Sequence, residues 1–573
     1  MPSAFVPISR LRHWGRIASD HLRKHPSAPV MTVIALAAIL PLAALPAYVL
    51  DADTAQVLYL ARDFAMRGIF PVHGILNSQA AYNPPHFVWL YLLPTLALPH
   101  APALATLLPA VVLNALSLYL LYRLGQRHIN RRAGLIAAVL YAFSPLGLIA
   151  GSSDWAQYLL PHFFVLTAFC LSEWLVDGRK WSVAVLLPLL AWTTGVHWGG
   201  TIAIGATLIL VLLFRPRLAI APVTIGLLAA IALWLPYLSF EAGRGFADIT
   251  AVAPFDPSPP GRVPADCQQS PTLAALASHL TAPAELLGCL KGVIYTRSPF
   301  LYRALRLIGK TALTAPAALL QALLVNYHWY PYVLGRHGPG VQWGRYLLSL
   351  GFLGLGVGTL LRHVLQKRAG DSERLLLWGF AVPLLLQSLT PYNALERPDI
   401  TWLFYGTQVL VTAYALTTPH WMHSTLAKGL LKISLAALIL LPFRSAWGGF
   451  AALLEGRQSD QQRVVASIAA DVLASGRHEA AIRYDFLPEH PDWRWLADFH
   501  AYDPHYRIGA EYDYLLEALY GVRNTSQAPD GMAQHPDYVV LEARGLRRYC
   551  PCTGDYEVLE LGYYTVIKVH PHR

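Results

Sequence analysis

Charge is what this chain has least of. Asp, Glu, Lys and Arg make up 14% of its 573 residues, against about 25% in ordinary soluble domains. A water-soluble enzyme of this length is excluded, because it would lack the polar side chains needed to cover its surface. Cysteine and methionine are also scarce, five of each. So few cysteines exclude a disulfide-built scaffold, and a lone Cys550-Pro551-Cys552 lacks the paired spacing of a zinc site. No internal repeat has a clear period, which removes solenoids and argues against the repeat-related halves of many transporters. The net charge of +10 does not point to nucleic acid, since much of the basic excess sits in short loops between apolar runs, where it sets membrane topology.

What is there is hydrophobic: 55% of the residues, a mean hydropathy of +0.39, and long apolar runs recurring to about residue 446. A spanning helix needs roughly 20 such residues, within a range of about 17 to 25. The runs predict spans at 29–50, 102–124, 132–150, 156–176, 181–193, 197–214, 218–239, 344–362, 374–390, 400–418 and 424–446. The fifth is short and needs its neighbours. Forty-two prolines and 16 tryptophans fit broken helices and interfacial anchors. The basic N-terminus, 1–28, is expected to stay cytoplasmic before a retained first helix.

Basic clusters belong on the cytoplasmic side. They occur at Arg10–Lys24, Arg123–Arg132, Arg179–Lys180, Arg215–Arg217 and Arg362–Arg374. All five fall on one side only if two ambiguous apolar pieces, 84–99 and 311–326, do not cross. The expectation is therefore a polytopic α-helical membrane domain over 29–446 with about eleven crossings and partly embedded helices on the outer face. Outer loops cover 51–101 and 240–343. The charge-rich tail, 457–573, reads as a small α/β or α+β soluble domain on the outer side. It has helix-like pieces at 461–475 and 511–520 and strand-like runs at Tyr538–Leu541 and Tyr563–Val569. Cys170 falls in a span. Cys267, Cys289, Cys550 and Cys552 fall outside, where disulfides are permitted, so a Cys267–Cys289 staple is favoured over metal.

The most distinctive stretch is Asp51 to Leu90, DADTAQVLYLARDFAMRGIFPVHGILNSQAAYNPPHFVWL. Carboxylates at a membrane surface are costly unless they face water, a cation or a polar substrate. Two are here, Asp51 and Asp53. Then come Ala61-Arg62-Asp63, Gly68, and Asn83-Pro84-Pro85-His86 running into Trp89-Leu90. The stretch resembles the first outer loop of the GT-C glycosyltransferases, integral-membrane enzymes that use polyprenyl-phosphate sugars. It is nearest the protein O-mannosyltransferase and lipid A aminoarabinose transferase branch, which opens the loop with an acidic pair. An Ala-Arg-acid segment, a Gly and Lys-Pro-Pro-x-x-x-Trp follow. Thr54 replaces the second acid and Asn83 the lysine. Tyr82-Asn83-Pro84-Pro85 is also similar to the polyprenyl-phosphomannose transferases.

The resemblance implies inverting transfer of a sugar from a polyprenyl-phosphate donor to an extracytoplasmic acceptor: a cell-envelope glycan, a lipid or a protein. Asp53 takes the place of the general base, with Asp51 as the alternative. Asp154 stands at the second functional acid. Arg397 stands where many members keep a basic residue for the lipid phosphate. Asn83 and His86, beside the prolines, and His328 and Tyr330, in the His328-Trp329-Tyr330-Pro331-Tyr332 cluster, are further substrate-binding candidates. A divalent cation is left open, with Asp53 and Asp154 as its ligands where one is used. The implied setting is a bacterial inner membrane with the site on the periplasmic side and membrane lipids as partners. Blander readings stand beside these. Asp53 and Asp154 each occupy helix-cap settings, Arg397 suits a headgroup anchor, and the aromatic cluster suits an interfacial belt. A lipid-linked-glycan flippase would place ionisable groups deep in the spans, and the acids here gather at outer ends instead. A glycan ligase would share the same outer cavity.

Overall fold

The computed structural model describes residues 28–43, 45, 50, 52–76, 81–144, 147, 151, 155–252, 339–388, 405–418, 460–485, 510–525, 537–542, 556–561 and 564–569. The predicted span 424–446, the piece 311–326 and the four outer cysteines lie outside these residues.

The described part of the membrane region is all helix: α1 (Ala28–Ala43), α2 (Ala52–Arg67), α3 (His86–Ala97), α4 (Pro102–His128), α5 (Arg131–Ala142), α6 (Ala156–Leu175), α7 (Ser182–Val196), α8 (Thr201–Phe214), α9 (Ile220–Gly243), α10 (Ala247–Val252), α11 (Pro339–Leu365), α12 (Asp371–Ser388) and α13 (Tyr405–Thr417). Among the described residues three helices, α4, α6 and α9, are by themselves long and apolar enough to cross a membrane. The others fall short in length or apolarity. Helix α3 has 12 residues, about 18 Å at 1.5 Å per residue, against a hydrocarbon core of about 30 Å.

Local sequence explains where helices stop. Helix α4 opens with Pro102 at its first position, where a missing N–H costs nothing. Helix α5 is capped by Asn130, whose side chain accepts the Ala133 N–H at 2.9 Å. It ends at Ala142, short of the expected 150, because Pro145 disfavours a helical Ser144. Helices α4 and α5 touch at Gly125 and Gly134. A Cβ on Gly134 would lie 2.3 Å from the Tyr122 carbonyl oxygen, so this backbone approach requires glycine.

The bundle has two chemically different ends. At one, charged and polar groups interlock. Arg127 pairs with Glu173 and, at 2.7 Å, with Asp177, and Arg179 reaches Glu173 at 2.6 Å. His128 Nδ1 lies 2.9 Å from Ser372 Oγ. The guanidinium of Arg374 stacks over Phe214, His363 pairs with Glu373, and Tyr414 donates to the same Glu373 at 2.6 Å. Helix ends carrying four of the five basic clusters are thus joined at this end. Glu173 is held by two of those arginines. The opposite end carries the start of α2, the start of α3, the end of α7 and the end of α9.

The C-terminal region contributes α14 (Asp460–Ala474), β1 (Glu479–Ala480), β2 (Ile482–Asp485), α15 (Ala510–Tyr520), β3 (Arg523–Asn524), β4 (Tyr538–Glu542), β5 (Tyr556–Leu561) and β6 (Tyr564–Val569). A mixed sheet runs β2-β4-β6-β5, with β2 and β4 parallel and the other pairs antiparallel. Val464, Val465, Ile468 and Val472 of α14 are buried with Val540 and Val566 of the sheet. Asp471 ties the layers together, accepting from Lys568 Nζ at 2.8 Å and from the Tyr538 hydroxyl. Those two donors hold its carboxyl below the usual carboxylate range. A depressed folded-state pKa gives stability that is present at neutral pH and lost as pH falls through that pKa. Asp471→Asn is therefore expected to lower the melting temperature at pH 7 and to flatten the acid-side loss below about pH 4. Thermal unfolding followed at pH 7 and pH 3 measures both.

Candidate active site at the first outer loop

Helix α2 begins the candidate site. Its sequence, ADTAQVLYLARDFAMR, puts Asp53 in the first turn and Arg67 in the last, both favourable to the helix dipole. The helix starts at Ala52, so Asp53 stands inside the first turn and does not cap a helix beginning at Thr54. Asp53 is half-buried, whereas Thr54, Ala55, Gln56, Val57 and Leu58 are buried. Thr54 is 0% exposed; a carboxylate there would be taken wholly out of water.

Each element of the motif that follows has a structural task. Ala61 is fully buried. Arg62 forms an ion pair with Glu517 at 3.2 Å, and Asp63 pairs with Arg67 at 3.6 Å. Gly68 has φ +70° and its N–H returns to Phe64 O at 2.9 Å, the left-handed C-terminal stop that glycine supplies.

Beyond it the chain folds back on itself. Gly74 N–H donates to Asn83 O at 2.6 Å and Asn83 N–H to Ile75 O at 2.9 Å, beside an antiparallel bridge between Leu76 and Tyr82. A Cβ on Gly74 would sit 2.7 Å from Pro84 O, so the return strand needs glycine there. Trp89 fastens the turn by donating its indole N–H to Pro71 O at 2.9 Å. Asn83 therefore shapes the loop through its backbone, at a half-buried position.

His86 has a different environment from the one its place beside the prolines suggests. It is 0% exposed and its ring is walled by Trp89, Trp192 and Trp234 at centroid distances of 4.7, 5.5 and 5.5 Å. Gly195 leaves room for the imidazole, since a Cβ there would lie 2.0 Å from Nδ1. Burial pushes its pKa down to about 4. It is a neutral packing group at the junction of α3, α7 and α9, behind the loop surface.

The end of α9 closes over the same loop. Tyr237 donates its hydroxyl to Tyr82 O at 2.9 Å. The Arg244 guanidinium lies 5.0 Å from the centre of the Tyr82 ring and 5.2 Å from that of Phe240. Arg244 also pairs with Asp248, and it lies 3.9 Å from Glu241. Glu241 and Asp248 are both buried; Arg244 pairs closely with Asp248 while its guanidinium face lies over the loop. Its position on Tyr82 was not legible from the sequence, where it is one of several long-loop cations. The only hint is its spacing from Asp248, one helical turn on.

Asp51, Asp154, Arg397, His328 and Tyr330 lie outside the described residues. The flanks of two of these segments do meet. Tyr141, before the Asp154 segment, and Tyr405, after the Arg397 segment, have ring centres 5.5 Å apart. Tyr141 Oη also lies 3.2 Å from His162 Nδ1. Among the described residues no three His, Cys, Asp or Glu side chains converge to hold a metal ion.

No family model matches this chain, and no curated protein matches it in sequence. Among solved structures, the chain is similar to ArnT from Cupriavidus metallidurans in the apo state, at 11% identity and a TM-score of 0.43, over 96% of this chain and 100% of that one. The same protein bound to undecaprenyl phosphate gives 12% identity and a TM-score of 0.42, over 95% and 100%. The archaeal oligosaccharyltransferase AglB from Archaeoglobus fulgidus, in complex with an inhibitory peptide and a dolichol-phosphate, is similar at 13% identity and a TM-score of 0.43, over 91% of this chain and 70% of that one.

Proposed function

We propose that this chain is an integral-membrane GT-C glycosyltransferase. In this reading it moves a sugar from a polyprenyl-phosphate donor to an extracytoplasmic acceptor, a glycan, lipid or protein of the cell envelope, at the periplasmic face of a bacterial inner membrane. The observation that carries the reading is the folding of the Asp53–Trp89 segment as one unit. Arg62, Gly68, Pro84 and Trp89 of the motif each have a contact or backbone conformation that holds the loop, and the acid left half-buried at the head of that unit is Asp53.

The chemistry needs a base for the acceptor hydroxyl and charge stabilisation for the leaving phosphate. Asp53 takes the hydroxyl proton as the acceptor oxygen attacks the anomeric carbon. The bond from that carbon to the phosphate oxygen breaks, the polyprenyl phosphate departs with the electron pair, and configuration inverts. Arg397 presents a planar donor fork that stays charged at any working pH and steadies the departing phosphate. Asp154 orients the acceptor. Asp51 is the alternative base, being two positions from Asp53 in the chain.

Arg127 and Arg179 at the other end of the bundle are already paired with Glu173, and in this reading the sugar phosphate binds at the Asp53 end. A flippase needs a polar path between the two ends, and the described helix interiors between them are packed largely with apolar side chains. The direct test is incubation of the purified protein in lipid nanodiscs with undecaprenyl-phosphate sugars labelled in the sugar. The expected result is label passing to a cell-envelope acceptor or to water. Transport of intact labelled lipid across the bilayer with no bond cleavage would replace this reading with the flippase.

A further inference from the structure

The C-terminal region grips the chain just before Asp53. Gln461, near the start of α14, donates from Nε2 to Leu50 O at 2.9 Å and accepts the Leu50 N–H through Oε1 at 3.0 Å. One side-chain amide thus satisfies both main-chain groups of one residue, across 411 positions of sequence. Gln461 is 2% exposed and Leu50 1%. The pair is therefore sheltered from water, where a hydrogen bond is costly to lose.

Two further contacts continue the grip along α2. The Tyr514 ring meets Tyr59 edge-on at 5.1 Å, and Glu517 pairs with Arg62 at 3.2 Å. Positions 59 and 62 are neighbours on one face of a helix. So are Tyr514 and Glu517 on α15. Leu50 comes three positions before Asp53, so the Gln461 clamp fixes where α2 begins and the ion pair fixes its rotation.

We propose that Gln461 is a positioning residue for Asp53: through Leu50 it sets the backbone from which the Asp53 carboxylate is aimed. The C-terminal region is then part of the catalytic apparatus and not an appended module. The inference rests on the reading of Asp53 as the base. It accounts for a glutamine buried at the contact beside the Arg62–Glu517 pair. A misplacement of about 1 Å at a reacting group costs on the order of 10²-fold in rate.

The test uses the full chain in lipid nanodiscs with Gln461→Ala, the near-isosteric Gln461→Glu, and Asp53→Asn. Hydrogen exchange of the amides at 56–60, whose helical acceptors lie in the first turns of α2, needs no substrate. Gln461→Ala is expected to speed it at least about 10-fold, as expected for loss of two buried hydrogen bonds, with exchange elsewhere in the bundle unchanged. With labelled undecaprenyl-phosphate sugars as the probe, kcat is expected to fall about 10²-fold with the donor KM unmoved.

Gln461→Glu supplies a signature that a loss of general stability does not. A protonated carboxyl donates and accepts as the amide does, whereas a carboxylate only accepts. The ratio of its activity to wild type is therefore expected to rise as pH falls. Unchanged exchange at 56–60 in Gln461→Ala, a pH-independent ratio for Gln461→Glu, or exchange raised throughout the bundle overturns the positioning role. Transfer persisting in Asp53→Asn, with exchange at 56–60 still raised by Gln461→Ala, overturns the base assignment and leaves the clamp as a structural fact.

Discussion

Replacing Asp53 by asparagine is expected to lower sugar transfer by about 10²- to 10⁴-fold, the usual contribution of a general base, while the protein still inserts and folds. Asparagine keeps the shape of the side chain and removes its negative charge and its ability to take a proton. Asp53 is half-buried, whereas its neighbours Thr54 to Leu58 are buried and carry the packing. Loss of the acid does remove a favourable charge at the helix N-terminus, typically about 0.3 to 1 kcal/mol. That is too little to unfold the bundle. The paired substitution Asp51→Asn separates the two acids. If Asp51→Asn abolishes transfer and Asp53→Asn does not, the base is Asp51. Rates are to be read with the donor saturating, so that a change in kcat is not mistaken for one in binding.

The second large effect is expected at Arg244, and it is one of stability. Arg244 faces two acids, Glu241 and Asp248, that are buried, and its guanidinium covers Tyr82 and Phe240. Arg244→Ala leaves the buried Asp248 carboxylate without its cation. Removing one partner of a buried pair costs about 3 to 5 kcal/mol. The lower end applies here, because Arg244 is itself 31% exposed. The loss should appear as a lower melting temperature and as faster proteolysis of the loop held by Tyr82. Arg244→Lys keeps the charge but not the planar face that lies on two aromatic rings, so it should recover part of the stability and less of the loop protection. An unchanged melting temperature in Arg244→Ala means that Asp248 finds another partner.

Much of the helical architecture was legible because the apolar runs are long. The predicted 102–124, 156–176, 197–214 and 374–390 meet helices at 102–128, 156–175, 201–214 and 371–388. Boundaries slipped where proline intervenes: the run ending at 50 becomes a helix ending at Ala43, with Pro41 and Pro46 crowding its end. Charge read locally was informative too. The basic loops meet at one end of the bundle through Arg127, Arg179 and Arg374.

The site was less legible, for a physical reason. Sequence spacing marks which residues lie near Asp53 along the chain, and His86 shows the limit of that guide. Three tryptophans from three helices enclose it, and only one of them, Trp89, is close in sequence. Gln461 and Glu517 lie more than 400 residues from their partners, in a region whose local pattern says only that it has helices and strands. A glutamine in a helix is an unremarkable residue until its two hydrogen bonds to Leu50 are seen.

The most direct measurement is a structure of the full chain with undecaprenyl phosphate bound in a lipid nanodisc. The phosphate is expected at the end of the bundle that carries Asp53, within reach of that carboxylate once a sugar is attached, and beside the segment that carries Arg397. A phosphate seated instead among Arg127, Arg179 and Arg374 at the opposite end would contradict it.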